Sequence, residues 1–247
     1  MTAAKTVDAA EIEKFGRISA EWWDASGPFR PLHRLNPVRL SYIRARAAMQ
    51  FNCEGSSITP FANLKILDIG CGGGLVAEPL ARLGAKVTAV DADNGAIEAA
   101  RLHAAARQVK VDYRVGDAEE LVAAGETFDV VLALEIVEHV ADRTVFLEML
   151  GRLVAPGGLL ILSTLNRTLK SLVLGVGVAE HLLRWVEPGT HNWRRFVRPS
   201  ELARDLRRVG FEIIDLTGLV FDPLKNEFHL QNDDVGVNYF ASATRPA

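Results

Sequence analysis

The chain of 247 residues is 49% hydrophobic and 24% charged, with 20 glycines and 10 prolines, an ordinary globular make-up that excludes disordered, collagenous and disulfide-stapled classes. Twenty-eight Lys and Arg against 31 Asp and Glu give a net charge of −3, without the concentrated positive footprint of a nucleic-acid binder. Cys53 and Cys71 are too few for a metal cluster or a disulfide framework, no apolar run approaches the ~18 residues of a membrane span, and residues 1–14 lack a signal region. These features predict a chain with reduced thiols that is neither secreted nor membrane-spanning.

In chain order, residues 11–50 are rich in Arg and aromatics and read as a helical arm, interrupted by Gly27, Pro28, Pro31 and Pro37. From residue 64, short apolar runs (64–69, 87–90, 111–115, 130–134 and 159–162) alternate with amphipathic stretches at 75–83, closed by Gly84, at 96–106 and at 144–154. Near-continuous apolar strands joined by helices predict a doubly wound, mostly parallel α/β sheet. Residues 166–198 break the rhythm and read as a helical insertion. Beyond it, Ser200 fits a helix N-cap, Gly210 its stop, and 211–214 and 239–243 two late strands, seven in all. The organisation is a single domain over 1–247: the arm, a core at 60–165, the insertion at 166–198 and a terminal unit at 199–247.

The first strand runs through Asp68 into Gly70-Cys71-Gly72-Gly73-Gly74, a turn that lets a ligand approach the backbone. A dinucleotide fingerprint starting at Gly70 requires glycine at position 75, where Leu75 stands. Asp68 disfavours a pyrophosphate and suits a ligand bearing ammonium and sulfonium groups, which S-adenosylmethionine does. Asp91 ends the second strand 19 residues after Gly72, placed to accept both ribose hydroxyls. Asp117, after the third strand, is placed near an adenine amino group. Together these residues resemble the Class I S-adenosylmethionine-dependent methyltransferases, with a Rossmann-like sheet over about residues 60–245. The resemblance implies that the Asp-x-Gly-x-Gly loop and the two acids line the cofactor pocket, that Pro156-Gly157-Gly158 precedes strand five, and that 239–243 form an antiparallel strand seven.

The fourth strand ends in Leu134-Glu135-Ile136-Val137-Glu138-His139, without the Asn/Asp-Pro-Pro-aromatic loop of many amino-methylating relatives. If 135–139 start a helical turn, Glu135, Glu138 and His139 converge on one side. A phenol with a pKa near ~10 must lose its proton to attack a methyl group. His139 serves as general base, or the trio holds Mg²⁺ or another divalent ion that acidifies the phenol. The bland alternative is a helix cap at Glu138 and a packed His139.

Phe15 to Trp23 with the Trp22-Trp23 pair, Pro31-Leu-His33-Arg34-Leu-Asn36-Pro37-Val-Arg39, Ser163-Thr-Leu-Asn166-Arg167 and Gly189-Thr-His191 narrow the resemblance to the O-methyltransferase family of ubiquinone biosynthesis, over about residues 11–245. This implies methylation of ring hydroxyls on a polyprenyl hydroxyphenol or catechol and on demethylubiquinol, with Arg39, Gly70, Asp91 and Leu134 contacting the cofactor and Arg39 reaching its carboxylate. It also implies a cytoplasmic protein held peripherally at the inner face of the membrane and partners in a biosynthetic complex. The insertion carries six Lys and Arg against Glu180 and Glu187, interleaved with Leu172, Val173, Leu174, Val176, Trp185 and Trp193, as an interfacial helix or lid requires. Competing readings are a C- or N-methyltransferase on another small amphiphile, and a catalytically silent cofactor- or lipid-binding module.

Overall fold

The computed structural model describes residues 21–53, 57–172 and 193–247. Helix α1 spans Arg30–Phe51 and ends on Asn52 in the left-handed conformation, whose N–H returns to the Ala48 carbonyl. Then come β1 (Lys65–Ile69), α2 (Ala77–Arg82), β2 (Lys86–Asp91), α3 (Asn94–Ala106), β3 (Asp112–Val115), α4 (Ala118–Ala123), β4 (Phe128–Leu134), α5 (Arg143–Leu153) and β5 (Val154–Leu165). Helix α6 (Pro199–Arg208) and strands β6 (Glu212–Asp222), β7 (Glu227–Gln231) and β8 (Asn238–Thr244) complete the order.

The strands form one sheet in the order β3-β2-β1-β4-β5-β8-β6-β7, with β1 to β5 parallel and β8 inserted antiparallel between β5 and β6. The doubly wound expectation holds, with one strand more than the seven expected. The extra strand, β7, pairs with the outer half of β6 through a turn containing Asn226 at φ 57°. Alternate residues of each inner strand feed two cores. Ile66, Val130, Leu132 and Ile161 pack with Tyr42, Ile43, Leu80 and Ile97 of α1 to α3. Leu67, Val131, Leu160 and Leu162 face Phe146, Leu150 and Leu202 of α5 and α6.

Helix α1 runs through Pro31 and Pro37, both expected to interrupt it. Pro31 lies in the first turn, where its missing N–H costs nothing. Pro37 is interior, a position that costs ~3 kcal/mol or more, but Leu35, Arg39, Tyr42, Ile43 and Ala47 are buried by the sheet. Tyr42 stacks on Phe240, 4.4 Å between centroids, and its hydroxyl donates to Asp215 at 2.6 Å. Arg46 closes an ion pair with Asp215 at 2.7 Å. These contacts carry the helix across the proline. Helix α6 starts one residue before the expected cap, with Arg198 at the N-cap and Pro199 at the first helical position.

The chain leaves β3 at one edge and returns at β4 beside β1, so the carboxyl ends of β1 and β4 flank the switch point where open α/β sheets bind ligands.

Candidate active site

Asp68 sits on β1 between β2 and β4, 3% exposed, and its Oδ2 has no hydrogen-bond partner. Burial pushes its pKa up to about 7; Arg39 pulls it down and Asp91 pushes it further up. Gly70 and Gly72, at φ +74° and +51°, turn the chain, and the Gly70 N–H returns to the Val90 carbonyl at 2.8 Å. Asp91, at the end of β2, accepts the Gly72 N–H at 2.7 Å on one carboxylate oxygen and the Asp93 N–H at 2.9 Å on the other. Burial raises its pKa, against the lowering effect of those two amides. A carboxylate offers about four lone-pair sites, so acceptor capacity remains beyond the two amides. Asp117 accepts the Glu120 N–H at 3.0 Å and caps α4.

Tight packing explains the glycines. Any side chain at Gly70 would strike Ile136, at Gly72 or Gly73 it would strike Trp22, and at Gly74 the Tyr113 ring. Gly74→Ala, at φ +84° against a buried ring, is expected to lower unfolding free energy by about 2–4 kcal/mol, read from the urea midpoint.

Arg39 projects from α1, 6% exposed, with Nε and Nη2 unpartnered and Nη2 3.7 Å from Glu135 Oε1. Burial lowers its pKa, while Glu135, Asp68 and Glu138 oppose that. Leu134 ends β4 and is buried.

The stretch 135–139 is not the expected helical turn. Glu135 takes φ +54°, left-handed geometry costing a non-glycine residue roughly 1–2 kcal/mol, and a tight turn follows in which the His139 N–H donates to the Ile136 carbonyl at 2.9 Å. Glu135 Oε1 accepts from Ser163 at 2.7 Å and Asn238 at 3.1 Å. Glu138, 4% exposed, accepts from the Thr164 hydroxyl at 2.7 Å, and burial, reinforced by Glu135 and opposed by His139, holds its carboxyl well above the usual range. His139 is half-buried beside them. Among the described residues no group of three His, Cys, Asp or Glu side chains is gathered closely enough to hold a metal ion.

Other polar groups were not singled out from the sequence. The Trp22 ring lies on Gly72 and Gly73, and Trp23 donates its Nε1–H to the Gly73 carbonyl at 2.9 Å while stacking on His103 at 3.4 Å. Asn36 donates to the Leu75 carbonyl at 2.7 Å. Trp22 Nε1, Asn36 Oδ1 and Tyr113 Oη are buried and unpartnered near the same loop. Only the Trp22-Trp23 pair and the Asn36-containing stretch gave a signal, through the resemblance, and neither residue carried a role there.

The methyltransferase domain family model matches residues 67–162. Solved folds similar to this chain include magnesium protoporphyrin IX methyltransferase from Synechocystis with bound S-adenosylhomocysteine, TM-score 0.64 and 21% identity over 96% of this chain and 95% of that one. A possible histamine N-methyltransferase from Thermotoga maritima aligns at TM-score 0.65 and 19% identity, over 95% and 99% of the two chains. The fold is that of Class I S-adenosylmethionine-dependent methyltransferases. At the sequence level, the ubiquinone biosynthesis O-methyltransferase of Dinoroseobacter shibae is 49% identical, covering 100% of this chain and 99% of its own. That of Azorhizobium caulinodans is 50% identical over 97% and 94%. The chain belongs to the ubiquinone biosynthesis O-methyltransferase family and is an S-adenosylmethionine-dependent enzyme.

Proposed function

We propose that the chain methylates a ring hydroxyl of a polyprenylated phenol, catechol or demethylubiquinol, using S-adenosylmethionine held across the switch point. One observation carries the cofactor assignment: Arg39 and Asp68, buried and of opposite charge, keep Nε, Nη2 and Oδ2 without hydrogen bonds beside a glycine turn, Nη2 having only a long 3.7 Å ion pair to Glu135. A buried charge without hydrogen bonds is costly, and the carboxylate and ammonium of an amino acid satisfy both groups at once. The residues present therefore fit the cofactor. Arg39 takes its carboxylate, Asp68 its ammonium, Asp91 the ribose hydroxyls and Asp117 the adenine amino group. Gly70 and Gly72 allow close approach, and Leu134 packs against the nucleoside.

When bound, S-adenosylmethionine supplies a methyl group on a cationic sulfur. The chain's own contribution is to remove the phenolic proton and exclude water. Glu138, with an elevated proton affinity and its orientation fixed by Thr164, accepts the proton directly or through His139, and the O–H electron pair stays on the attacking oxygen. Glu135 holds its turn through Ser163 and Asn238. The step is written without a divalent ion: proton removal needs only the Glu138 carboxylate that Thr164 orients.

The acidity of Asp68 sets a pH signature. Only the carboxylate form pairs with the ammonium, so S-adenosylmethionine affinity is expected to rise about fivefold to tenfold from pH 6 to 7.5, through the pKa of about 7. Calorimetry at several pH values reads this, and Asp68→Asn is expected to flatten it. Without cofactor the sign for folding is opposite. Between the unfolded carboxyl value of ~4 and about 7 the folded chain binds the extra proton, so this group's contribution to stability falls as pH rises through that window.

A polyprenyl substrate partitions into bilayers, which supports a peripheral membrane placement through residues 166–198. Residues 173–192 of that insertion lie outside the described residues. On its amino-terminal side, Leu169 is 76% exposed and Leu172 is also exposed. Among the described residues no helix is long and apolar enough to cross a membrane. The test is mass spectrometry of turnover with a short-chain demethylubiquinol analogue, with and without chelator, joined to sedimentation with anionic vesicles. The expected result is a product 14 mass units heavier, formed with or without chelator, and vesicle-bound protein at low salt; unchanged quinol sinks the reading, and Mg²⁺-restored turnover moves the trio from proton acceptor to metal ligand.

A further inference from the structure

A groove of about 830 Å³ opens at the amino-terminal ends of the parallel strands, across the sheet from the glycine loop. Lys65 and Lys86, the first residues of β1 and β2, are register partners and both line it. Neighbouring strands lie ~4.8 Å apart, so the two side chains leave the sheet side by side on one face, a like-charge pairing that disfavours the sheet. Lys110, ahead of β3, and Arg101 of α3 add two more positive charges to the lining. The groove's two acids, Asp112 and Glu126, are both taken by Arg114, at 2.6 Å each. Arg101 is turned onto the Tyr113 carbonyl at 2.6 Å. Lys65 and Lys86 donate their backbone N–H groups, to the Asp129 carboxylate at 2.8 Å and the Leu64 carbonyl at 2.9 Å, but the three ammonium groups enter no hydrogen bond or ion pair among the described residues, in a chain whose net charge is negative. Half-buried Val109 and Val111 give the groove an apolar wall.

We infer that this groove is a second ligand site, for a phosphate-bearing anion. Three ammonium groups and a guanidinium, on two strands, a helix and a loop, face a lining whose two carboxylates are both engaged by Arg114, and lysine is a point-charge partner for phosphate oxygens. The volume lies in the range of small-molecule sites, ~300–1,000 Å³. At ~3.3 Å per residue the length of β1 separates the groove from the glycine loop by ~17 Å, so both sites fill together. The inference is independent of the methyl-transfer chemistry.

The experiment titrates the full chain, with S-adenosylhomocysteine saturating the other site, against inorganic pyrophosphate by calorimetry. In parallel, the chain is sedimented with phosphatidylcholine vesicles with and without phosphatidic acid. Each is repeated on Lys86→Gln/Lys110→Gln. Saturable pyrophosphate binding that weakens tenfold or more in the variant supports the site with a soluble phosphate source. Binding only to phosphatidic acid vesicles, lost in the variant, supports it with a lipid headgroup. Binding of neither probe, or equal affinity in the variant, overturns it. Should the double variant fail to fold, Lys110→Gln, on an exposed loop, gives the same reading.

Discussion

Glu138→Gln is expected to lower kcat for hydroxyl methylation by about 10²–10⁴-fold, the usual range for loss of a general base. The affinity for S-adenosylhomocysteine should hold. The amide keeps the Thr164 contact and the volume, and it removes only the capacity to take a proton. The pH profile separates this from a structural effect. At saturating S-adenosylmethionine, which removes the Asp68 effect on affinity, kcat of the native chain should climb as the buried carboxyl ionises, and that acidic limb should disappear in the variant. Substrates with more acidic phenols should recover part of the loss, because they need less help from a base with a pKa below the unperturbed ~10. If kcat is unchanged, with the limb still present, Glu138 does not receive the proton.

Arg39→Gln acts on binding. Two charge-assisted hydrogen bonds to the cofactor carboxylate are lost, at about 1.5–3 kcal/mol each before compensation, which predicts roughly 100-fold weaker S-adenosylmethionine binding in calorimetry. The variant also leaves Asp68 and Glu138 without a shared cation, so both carboxyls should become harder to ionise. Arg39→Lys should recover less than half of the lost free energy, because an ammonium cannot match a carboxylate with two parallel N–H groups. Equal recovery by lysine would mean that charge alone matters at this position.

The periodicity of the apolar runs located β1 to β4 and β8 to within two residues, since strands buried on both faces have little choice of side chain, whereas β5, expected at 159–162, runs Val154–Leu165 and β6, expected at 211–214, runs Glu212–Asp222. Strand β7 escaped because Glu227, His229 and Gln231 face solvent at a sheet edge and only Phe228 and Leu230 alternate with them. Helix α1 was misread for another reason: proline is a local signal, and the packing of Tyr42 and Ile43 that outweighs it is tertiary. In the site, Asp68, Gly70, Gly72 and Asp91 were legible because one strand-turn-helix unit and the next strand end place them together. Arg39 was reached through resemblance alone, since nothing local marks an arginine on a helix some 30 residues upstream as part of the pocket. Glu135 was legible as a residue but not as a geometry. Its left-handed backbone goes with its bonds to Ser163 of β5 and Asn238 of β8, which replace the expected helical turn, while Glu138 bonds Thr164.

The two adjacent indoles give the enzyme a built-in optical reporter. Trp22 and Trp23 are two of four tryptophans, and both touch the backbone of the glycine turn at Gly72 and Gly73. With the donor placed as proposed, each exchange of spent for fresh methyl donor is expected to disturb their emission, so stopped-flow fluorescence on the unlabelled protein would time donor exchange separately from the chemical step.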